Sequence, residues 1–206
     1  MARVITGQTG NVNVFTGGSG GSGGGSDVFG TGQFVYFSAS TTWTVPEGIT
    51  RIRVVCFGAG GGGGDPYRNY NAPSTTITTA NNGGEGGPGS FSCGLATVVP
   101  EESVPVSVGV GGNAAQAGGT SSCKGVTAGG GRGGTNGTSV GQGGNGSGGI
   151  ATGGISNFSG DFGESAVISY GKIPLGGARG TAVVGMPISS TVSGGSGRDG
   201  WVVIEY

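Results

Sequence analysis

Short blocks of alternating hydrophobic and polar residues predict β-strands along most of this chain. Successive residues of a strand point to opposite faces of a sheet, so alternation indicates a strand with two different faces. The clearest block divides into Thr50, Ile52, Val54 and Cys56 on one face and Arg51, Arg53, Val55 and Phe57 on the other. The pattern predicts further strands at residues 34–37, 42–45, 90–99, 103–110, 166–170, 181–184 and 201–206.

Two of these blocks also predict a position within a sheet. Residues 103–110 carry a row of valines on one face, namely Val104, Val106, Val108 and Val110. Pro105 has the opposite parity and no N–H, so we expect it at a sheet edge or at a position without a ladder hydrogen bond. Residues 201–206 are apolar on both parities, and we expect this strand to lie centrally in a sheet.

A second periodicity, of three residues, runs through the glycines. Between Gly131 and Gly149 a glycine occupies every third position except Val140. Three residues is the repeat of a polyproline-II helix, which has no internal hydrogen bonds and directs its N–H and C=O groups sideways. With glycine at the repeating position such segments can pack side by side and bond to one another. We therefore predict polyglycine-II layers, formed either within one chain or between chains.

Composition narrows the fold class. The chain has 55 glycines and 8 prolines in 206 residues, a content also typical of disordered chains. Disorder is the weaker alternative, because the net charge is only −1 and the apolar residues are segregated into blocks. Leucine occurs only at Leu95 and Leu175 while valine and isoleucine are abundant, which favours strands over helices. We predict an all-β, β-sandwich-like domain with polyglycine-II layers and almost no helix.

The chain divides into an N-terminal arm with its tether, residues 1–40, and a glycine-rich β domain, residues 41–206. The arm contains a short alternating run with Val12, Val14 and Phe15. The sequence GGSGGSGGGS that follows is typical of a flexible tether. A strand-forming peptide on a tether is suited to docking on another protein or on another copy of the chain. The alternative is a frayed terminus.

Two stretches interrupt the glycine-rich pattern with side chains suited to contacts, residues 65–82 and residues 157–175. We interpret both as long loops, and loops of this length are usually either functional or disordered. Tyrosine, arginine and asparagine are typical of recognition surfaces, where rigid rings give contact area at a low entropic cost. The candidate binding residues are Tyr67, Arg68, Asn69, Tyr70, Asn71, Phe158 and Phe162.

The chain lacks the side chains on which most enzymes depend. It has no histidine, which excludes Ser-His-Asp and Cys-His catalysis and removes the commonest metal ligand. A pair of acidic residues could in principle hydrolyse a glycan. With ten acidic residues in all, we instead expect solvated turn residues at Asp65, Glu85, Asp161 and Glu164. We predict no catalytic residues, no cofactor and no metal.

Charge, hydropathy and cysteine usage exclude further classes. There is no basic stripe to neutralise phosphates, so we expect no nucleic-acid partner. No apolar run is long enough to span a bilayer and residues 1–10 do not resemble a signal peptide, so we expect no membrane insertion and assembly in a cytoplasm. Cys56, Cys93 and Cys123 are odd in number and far apart, and we expect them to be buried, reduced thiols.

Several motifs, in a fixed order, resemble one family. They are WTVPEGITRIRV at residues 43–54, GAGGGGG at 58–64, GGPGSF at 86–91, PVSVGVGG at 105–112 and GRDGWVVI at 197–204. Together these motifs resemble the glycine-rich domains of bacteriophage tail-fibre, tail-tip and related virion proteins. The resemblance covers about residues 41–206. It does not cover the arm, and the stretches at residues 65–82 and 157–175 depart from it.

The resemblance implies a non-enzymatic adhesin in the virion tail, assembled in the host cytoplasm. Its partners would be other tail proteins, further copies of itself in a trimer by family analogy, and a bacterial surface glycan or outer-membrane protein. Receptor binding would fall first on residues 65–82 and second on residues 157–175, and virion docking on the arm. The alternative is a purely structural virion component, such as a head decoration, minor capsid or tail-assembly protein. A depolymerising enzyme is a weaker third option.

Overall fold

The structure, a computed structural model, describes residues 12–16, 32–73, 75–159, 167–168, 171–172 and 176–206. Apart from one 3-10 turn at Ile188–Ser190, every element in this part of the chain is a β-strand. The strands are β1 (Val12–Thr16), β2 (Gln33–Phe37), β3 (Thr41–Thr44), β4 (Arg51–Phe57), β5 (Tyr67–Asn71), β6 (Thr76–Asn81), β7 (Phe91–Thr97), β8 (Ser103–Ser107), β9 (Ser121–Cys123), β10 (Val126–Ala128), β11 (Ala151–Thr152), β12 (Ser156–Phe158), β13 (Val167–Ile168), β14 (Gly171–Lys172) and β15 (Trp201–Glu205). The all-β prediction is confirmed.

Most strands form two antiparallel sheets that face each other. One has six strands in the order β1-β2-β15-β4-β7-β12, and the other has five in the order β11-β10-β9-β8-β3. The predicted central place of the last strand is confirmed, because β15 pairs with β2 on one side and β4 on the other. We call this pair of sheets the sandwich.

The core of the sandwich is filled from both sheets, as the alternation in β4 predicts. Ile52, Val54 and Cys56 are fully buried between the sheets, together with Phe37 of β2. The other face of the six-stranded sheet holds a second apolar cluster, in which the rings of Phe57 and Trp201 stack with centroids 3.7 Å apart. The two-faced character of β4 is thus confirmed.

The valine row in β8 is confirmed for three of its four members. Val104, Val106 and Val108 are buried, whereas Val110 is 72% exposed because the strand ends at Ser107. At Pro105 the strand pairs only with β3, since its pairing with β9 covers Val106 and Ser107 alone. The missing proline N–H therefore falls where β8 has a partner strand on one side only.

Two other predicted strands fare differently. Residues 181–184 were expected to form a strand, but Thr181 makes only an isolated bridge to Val192 and the next residues form a turn. Of residues 166–170, β13 covers Val167–Ile168, and the remaining three lie outside the described residues. For residues 181–184 the sequence does not separate the two outcomes, because a short valine-rich block suits an exposed turn as well as a strand.

Beyond the sandwich, the glycine-rich segments run side by side as a second layer, which we call the glycine bundle. Its eight segments are residues 58–64, 83–90, 109–112, 116–119, 129–135, 143–150, 176–180 and 194–200. Seven of them continue directly into or out of strands of the sandwich, so the bundle grows from one end of the two sheets. We call the end at the sandwich the base and the opposite end the tip.

Residues 58–64 lie at the centre of the bundle with six neighbouring segments around them. Their N–H groups donate in rotation to the carbonyl groups of three antiparallel segments. Gly58, Ala59 and Gly60 donate to Ser90, Gly119 and Arg198, one in each segment. The next three residues, Gly61, Gly62 and Gly63, donate to the same three segments in the same order, at Gly87, Gln116 and Gly195. Their carbonyl groups accept in the same rotation from the three parallel segments, residues 112–115, 131–134 and 177–180. A partner that changes at every residue and returns at every third is the arrangement expected of packed polyglycine-II helices.

The three-residue glycine repeat marks the residues that bond to neighbours. Gly131 and Gly134 donate to Ala59 and Gly62, and Gly146 and Gly149 donate to Glu85 and Pro88. Val140 interrupts the repeat where the chain turns between two segments, and its side chain is 93% exposed. The predicted layers therefore form within one chain.

Glycine is required at the centre for steric reasons. A Cβ added at Gly61 would overlap the carbonyl group of Arg132, and one added at Gly62 would overlap that of Asn113. These obstacles are backbone atoms, which cannot move aside as a side chain can. The segments approach so closely only because no side chain stands between them.

The three cysteines are free thiols, as predicted. Cys56 and Cys123 are buried in the sandwich, and Cys93 is half-buried on the outer face of the six-stranded sheet. Burial raises the pKa of the Cys123 thiol to about 12 and that of Cys56 still further. Both thiols are therefore protonated, and unreactive as nucleophiles, near neutral pH.

Candidate functional site at the tip of the glycine bundle

The bundle ends at its tip in four connections between glycine segments. They are residues 65–82, 113–115, 136–142 and 181–193. Residues 58–64 separate tip from base, and at about 3.1 Å per residue of polyglycine-II helix this is roughly 20 Å. The connections are thus held away from the sandwich by a layer of closely packed backbone.

The largest connection is a β-hairpin and not the long loop that the sequence predicts. β5 and β6 pair from Tyr67 with Asn81 to Asn71 with Thr76, with a register shift at Asn69 and Tyr70 that leaves Thr78 as the extra residue. Polar residues fill both strands, so no apolar alternation reveals them in the sequence. The exceptions are Ala80 and Ile77, and the Ile77 side chain is buried.

The hairpin is extended by the connection at residues 181–193. The Ile77 N–H donates to the Met186 carbonyl oxygen at 3.0 Å, and the Gly185 N–H donates back to the Ile77 carbonyl at 2.9 Å. Further along, the Ile188 N–H donates to the Thr75 carbonyl at 3.0 Å. Two connections that are far apart in sequence therefore form one surface.

Asp65 joins its own connection to residues 136–142 and to the bundle segment 194–200 through its polar groups. Its N–H donates to Asn136 Oδ1 at 2.8 Å, its carbonyl accepts from the Gly137 N–H at 2.8 Å, and its carboxylate Oδ1 accepts from the Gly194 N–H at 2.8 Å. Asn81 adds a bond from Nδ2 to the Thr138 carbonyl at 2.7 Å. These bonds fix the hairpin to its neighbours at the point where it leaves the bundle.

An open groove of about 560 Å³ lies beside the hairpin at the tip. Three predicted binding residues line it, Tyr67, Arg68 and Tyr70. The other lining residues are Asp65, Pro66, Asn136, Gly137, Ile188 and Ser193. The structure therefore brings together in one groove the half-buried Tyr67, the exposed Tyr70 and Arg68, which the sequence analysis predicted as binding residues of one stretch.

The groove combines aromatic area with one positive charge. Tyr70 is 47% exposed, and Arg68 is exposed and forms no ion pair with any described residue. Asp65 is the one acidic residue lining the groove, and its carboxylate is engaged by the Gly194 N–H. Such a surface can stack on a ligand and donate hydrogen bonds to it, but it offers no pair of carboxylates for hydrolysis.

The remaining predicted site residues lie elsewhere. Asn69 is exposed on β5, where its Oδ1 accepts from the Tyr70 N–H at 2.9 Å, and for Asn71 only the backbone is described. Phe158 belongs to β12 in the six-stranded sheet at the base, with its ring 5.7 Å from that of Phe91. Phe162 lies outside the described residues. Of the second predicted stretch, the structure therefore places Phe158 in the sandwich, away from the groove.

Sequence reasoning missed the contribution of residues 181–193. Ile188 and Ser193 line the groove, and Val183, Val184 and Met186 are exposed beside it. The apolar side chains of this connection could have indicated its role. Turns favour Gly, Asn, Asp and Pro, so apolar side chains at a turn suggest a contact with another part of the molecule or with a ligand. The sequence pattern instead predicted a strand at residues 181–184 and made no prediction for residues 185–193.

The predicted docking residues Val12, Val14 and Phe15 lie on β1. This strand pairs with β2 at the edge of the six-stranded sheet, so it belongs to the sandwich and not to the glycine bundle. The docking role stays a prediction.

The described residues offer neither a metal site nor a membrane-spanning helix. Within the described ranges, no group of three or more cysteine, aspartate or glutamate side chains could hold a metal ion. No helix in the same part of the chain is long and apolar enough to cross a bilayer. The groove at the tip remains the candidate site.

Comparison with known proteins gives one finding. No curated protein matches the chain. A family model described as a glycine-rich domain matches residues 35–167, which is more than half of the chain. The matched part begins in β2 and includes the central segment of the bundle and the hairpin at its tip. The chain therefore belongs to the glycine-rich domain family.

Proposed function

We propose that this chain is a non-enzymatic virion protein of a bacteriophage tail, at the fibre or tip, and that it binds a bacterial surface receptor through the groove at the tip of the glycine bundle. The receptor is a surface glycan or an outer-membrane protein. The order of glycine-rich motifs, which resembles that of phage tail proteins, supports the placement in a virion. Arg68, Tyr67 and Tyr70 are the contact residues of the proposal.

The single observation that carries the proposal is the display of the groove on a rigid support. Binding residues are usually found on connections that a stiff scaffold holds in place, because a held loop loses less entropy when it binds. Here the groove stands about 20 Å from the sandwich, on segments packed around residues 58–64, whose N–H groups all donate to neighbouring segments. β1 lies at the edge of the six-stranded sheet, which leaves the tip free for a second contact.

A purely structural virion component is the second candidate. It is favoured by the edge position of β1, because an added strand can join a protein to its neighbours. In that case the tip would have no receptor, and the groove residues could be replaced without consequence for adsorption.

The proposal is tested by binding of purified protein to host cells. The triple variant Tyr67→Ala, Arg68→Ala, Tyr70→Ala should lose at least about tenfold in affinity, since aromatic and arginine residues dominate recognition. Its matched control is Val99→Ala, an exposed apolar position in a turn of the sandwich, which should bind normally. Normal binding by a folded triple variant would eliminate the groove as the receptor site.

Immunogold labelling of intact particles separates the two candidates by position. Label at the tail tip or fibre end is expected for the adhesin. Label on the head or along the tail shaft would favour the structural component and remove the receptor role from the groove.

A further inference from the structure

β1 is joined to its partner strand by far more chain than the pairing needs. Thr16 pairs directly with Gln33, so the sixteen residues 17–32 connect the two strands of one antiparallel pair. Two residues are enough for such a connection. Ten of the sixteen are the glycine and serine residues GGSGGSGGGS.

The length of the connection lets β1 reach a neighbouring molecule. Sixteen residues span at most about 55 Å when fully extended. The two ends need only about 5 Å between them for pairing within one chain. The connection therefore places β2 of an adjacent copy within the same reach as β2 of its own chain.

The pairing itself would be identical in both arrangements. The register sets Val12 and Val14 opposite Phe37 and Val35, whose side chains are buried in the sandwich core. It sets Phe15 opposite Phe34 on the other face. An exchanged β1 would keep every one of these pairs, so exchange costs no contacts, as in other cases of swapped elements.

β1 also lies outside the part of the chain that the family model matches. The family match begins at Val35 of β2, leaving β1 and its connection outside. β2 pairs on its other side with β15 at the centre of the sheet, so β1 adds one outer strand to the edge that β2 would otherwise present. An uncovered edge is a surface on which strands from other chains pair.

We propose that β1 is an exchange strand, which leaves its own chain and pairs with β2 of a second copy. The inference goes beyond the proposed function and does not depend on it. The partner is another copy of this chain because that copy presents the edge for which the register of β1 is already matched. The effective concentration of β2 for the β1 of its own chain is about 1 mM. Pairing within one chain and pairing between copies are therefore about equally populated near 1 mM of protein. Pairing between copies predominates where an assembly holds the copies closer together.

Two kinds of chain, each with one new cysteine, test the exchange. One carries Asn13→Cys in β1 and the other Tyr36→Cys in β2, two positions that are directly paired. Paired residues of antiparallel strands lie about 4.5–5.5 Å apart at Cα, which is within disulfide range. Cys93→Ser is included in both chains because Cys93 is half-buried on the same face. Size tags distinguish the two chains.

The expected result, for an equal mixture, is a disulfide between the two different chains that increases with concentration. It should join about a quarter of the chains near 1 mM, because about half of the exchanged strands pair with a chain of their own kind. Replacing residues 17–32 by Asn-Gly in both chains is the control, and should reduce the joined product at least about tenfold because β1 is then held to its own β2. A second pair, Thr16→Cys with Gln33→Cys, repeats the test without removing the Tyr36 ring.

Two results would overturn the proposal. The first is an internal disulfide in the double variant Asn13→Cys, Tyr36→Cys with no joined chains in the mixture, which would show that β1 stays on its own chain. The second is the absence of both products for both cysteine pairs in folded protein, which would show that β1 does not occupy this edge.

Discussion

Most glycine segments of the bundle continue along the chain into strands of the sandwich, yet the two regions are stabilised in opposite ways. In the sandwich, side chains such as Phe37 and Ile52 fill the space between two sheets. In the bundle, residues 58–64 hold six neighbours through main-chain hydrogen bonds, at a spacing that excludes side chains. The stability of the sandwich depends on its side chains, and that of the bundle depends on the absence of side chains at its glycines.

This difference explains how a layer without an apolar core can support a binding surface. Fixing glycine is entropically costlier than fixing any other residue, so the bundle needs a bond for nearly every N–H. It obtains them by surrounding one segment with six. Because the bonds of the central segment, residues 58–64, use only main-chain atoms, the side chains of the connections at the tip can differ without altering those bonds.

Removing atoms should harm the sandwich most. We expect Phe37→Ala to lower the free energy of unfolding by about 4 kcal/mol, because Phe37 is fully buried and its loss leaves a cavity. Urea unfolding followed by the fluorescence of Trp43 and Trp201, both in strands of the sandwich, measures it. The matched change Val140→Ala at an exposed tip turn should have an effect within about 0.5 kcal/mol. Equal effects at the two sites would contradict the comparison.

Adding atoms should harm the bundle instead. We expect Gly61→Ala to cost about 3 kcal/mol, since the new methyl group meets the Arg132 carbonyl and both backbones are fixed by neighbours. Faster hydrogen exchange at residues 58–64 would accompany the loss. Gly141→Ala is the control, because an added Cβ at that position meets no atom within 4 Å. A Gly61→Ala protein as stable as Gly141→Ala would mean that the segments are not packed closely.

The two regions were also predictable from the sequence to different degrees. Alternation in β4 and the double-sided apolar pattern of β15 specify which faces are buried, so the strands of the sandwich and the central place of β15 followed from sequence. The three-residue repeat likewise predicted polyglycine-II packing. The repeat could not predict that six segments surround residues 58–64, because glycine has no side chain that would indicate which segments are neighbours.

The candidate site was predictable only in part. Tyr67, Arg68 and Tyr70 stood out by residue type, and the groove contains all three. The hairpin that holds them has few apolar residues, so no alternation revealed it. Ile188 and Ser193 reach the groove because the bundle brings residues 181–193 back beside residue 65, and this contact depends on which glycine segments are neighbours.

The smallest expected effect is a pH dependence that belongs to the sandwich alone. Burial raises the pKa of the Cys123 thiol to about 12, from an ordinary value of 9.0, and also raises that of Cys56. A raised folded-state pKa gives stability that is complete below the unfolded value and is lost as pH rises toward the folded value. From pH 8 to pH 9.5 we expect about 0.8 kcal/mol of loss per thiol, measured by urea unfolding.

Cys123→Ala isolates this effect, since it should reduce the loss by about 0.8 kcal/mol over the same interval. The central segment of the bundle, residues 58–64, has no ionisable side chain, so its hydrogen bonds supply no comparable term. An undiminished loss in Cys123→Ala would assign the alkaline sensitivity to groups other than this buried thiol. The stability of the sandwich would then depend on pH for a reason unrelated to how its core is packed.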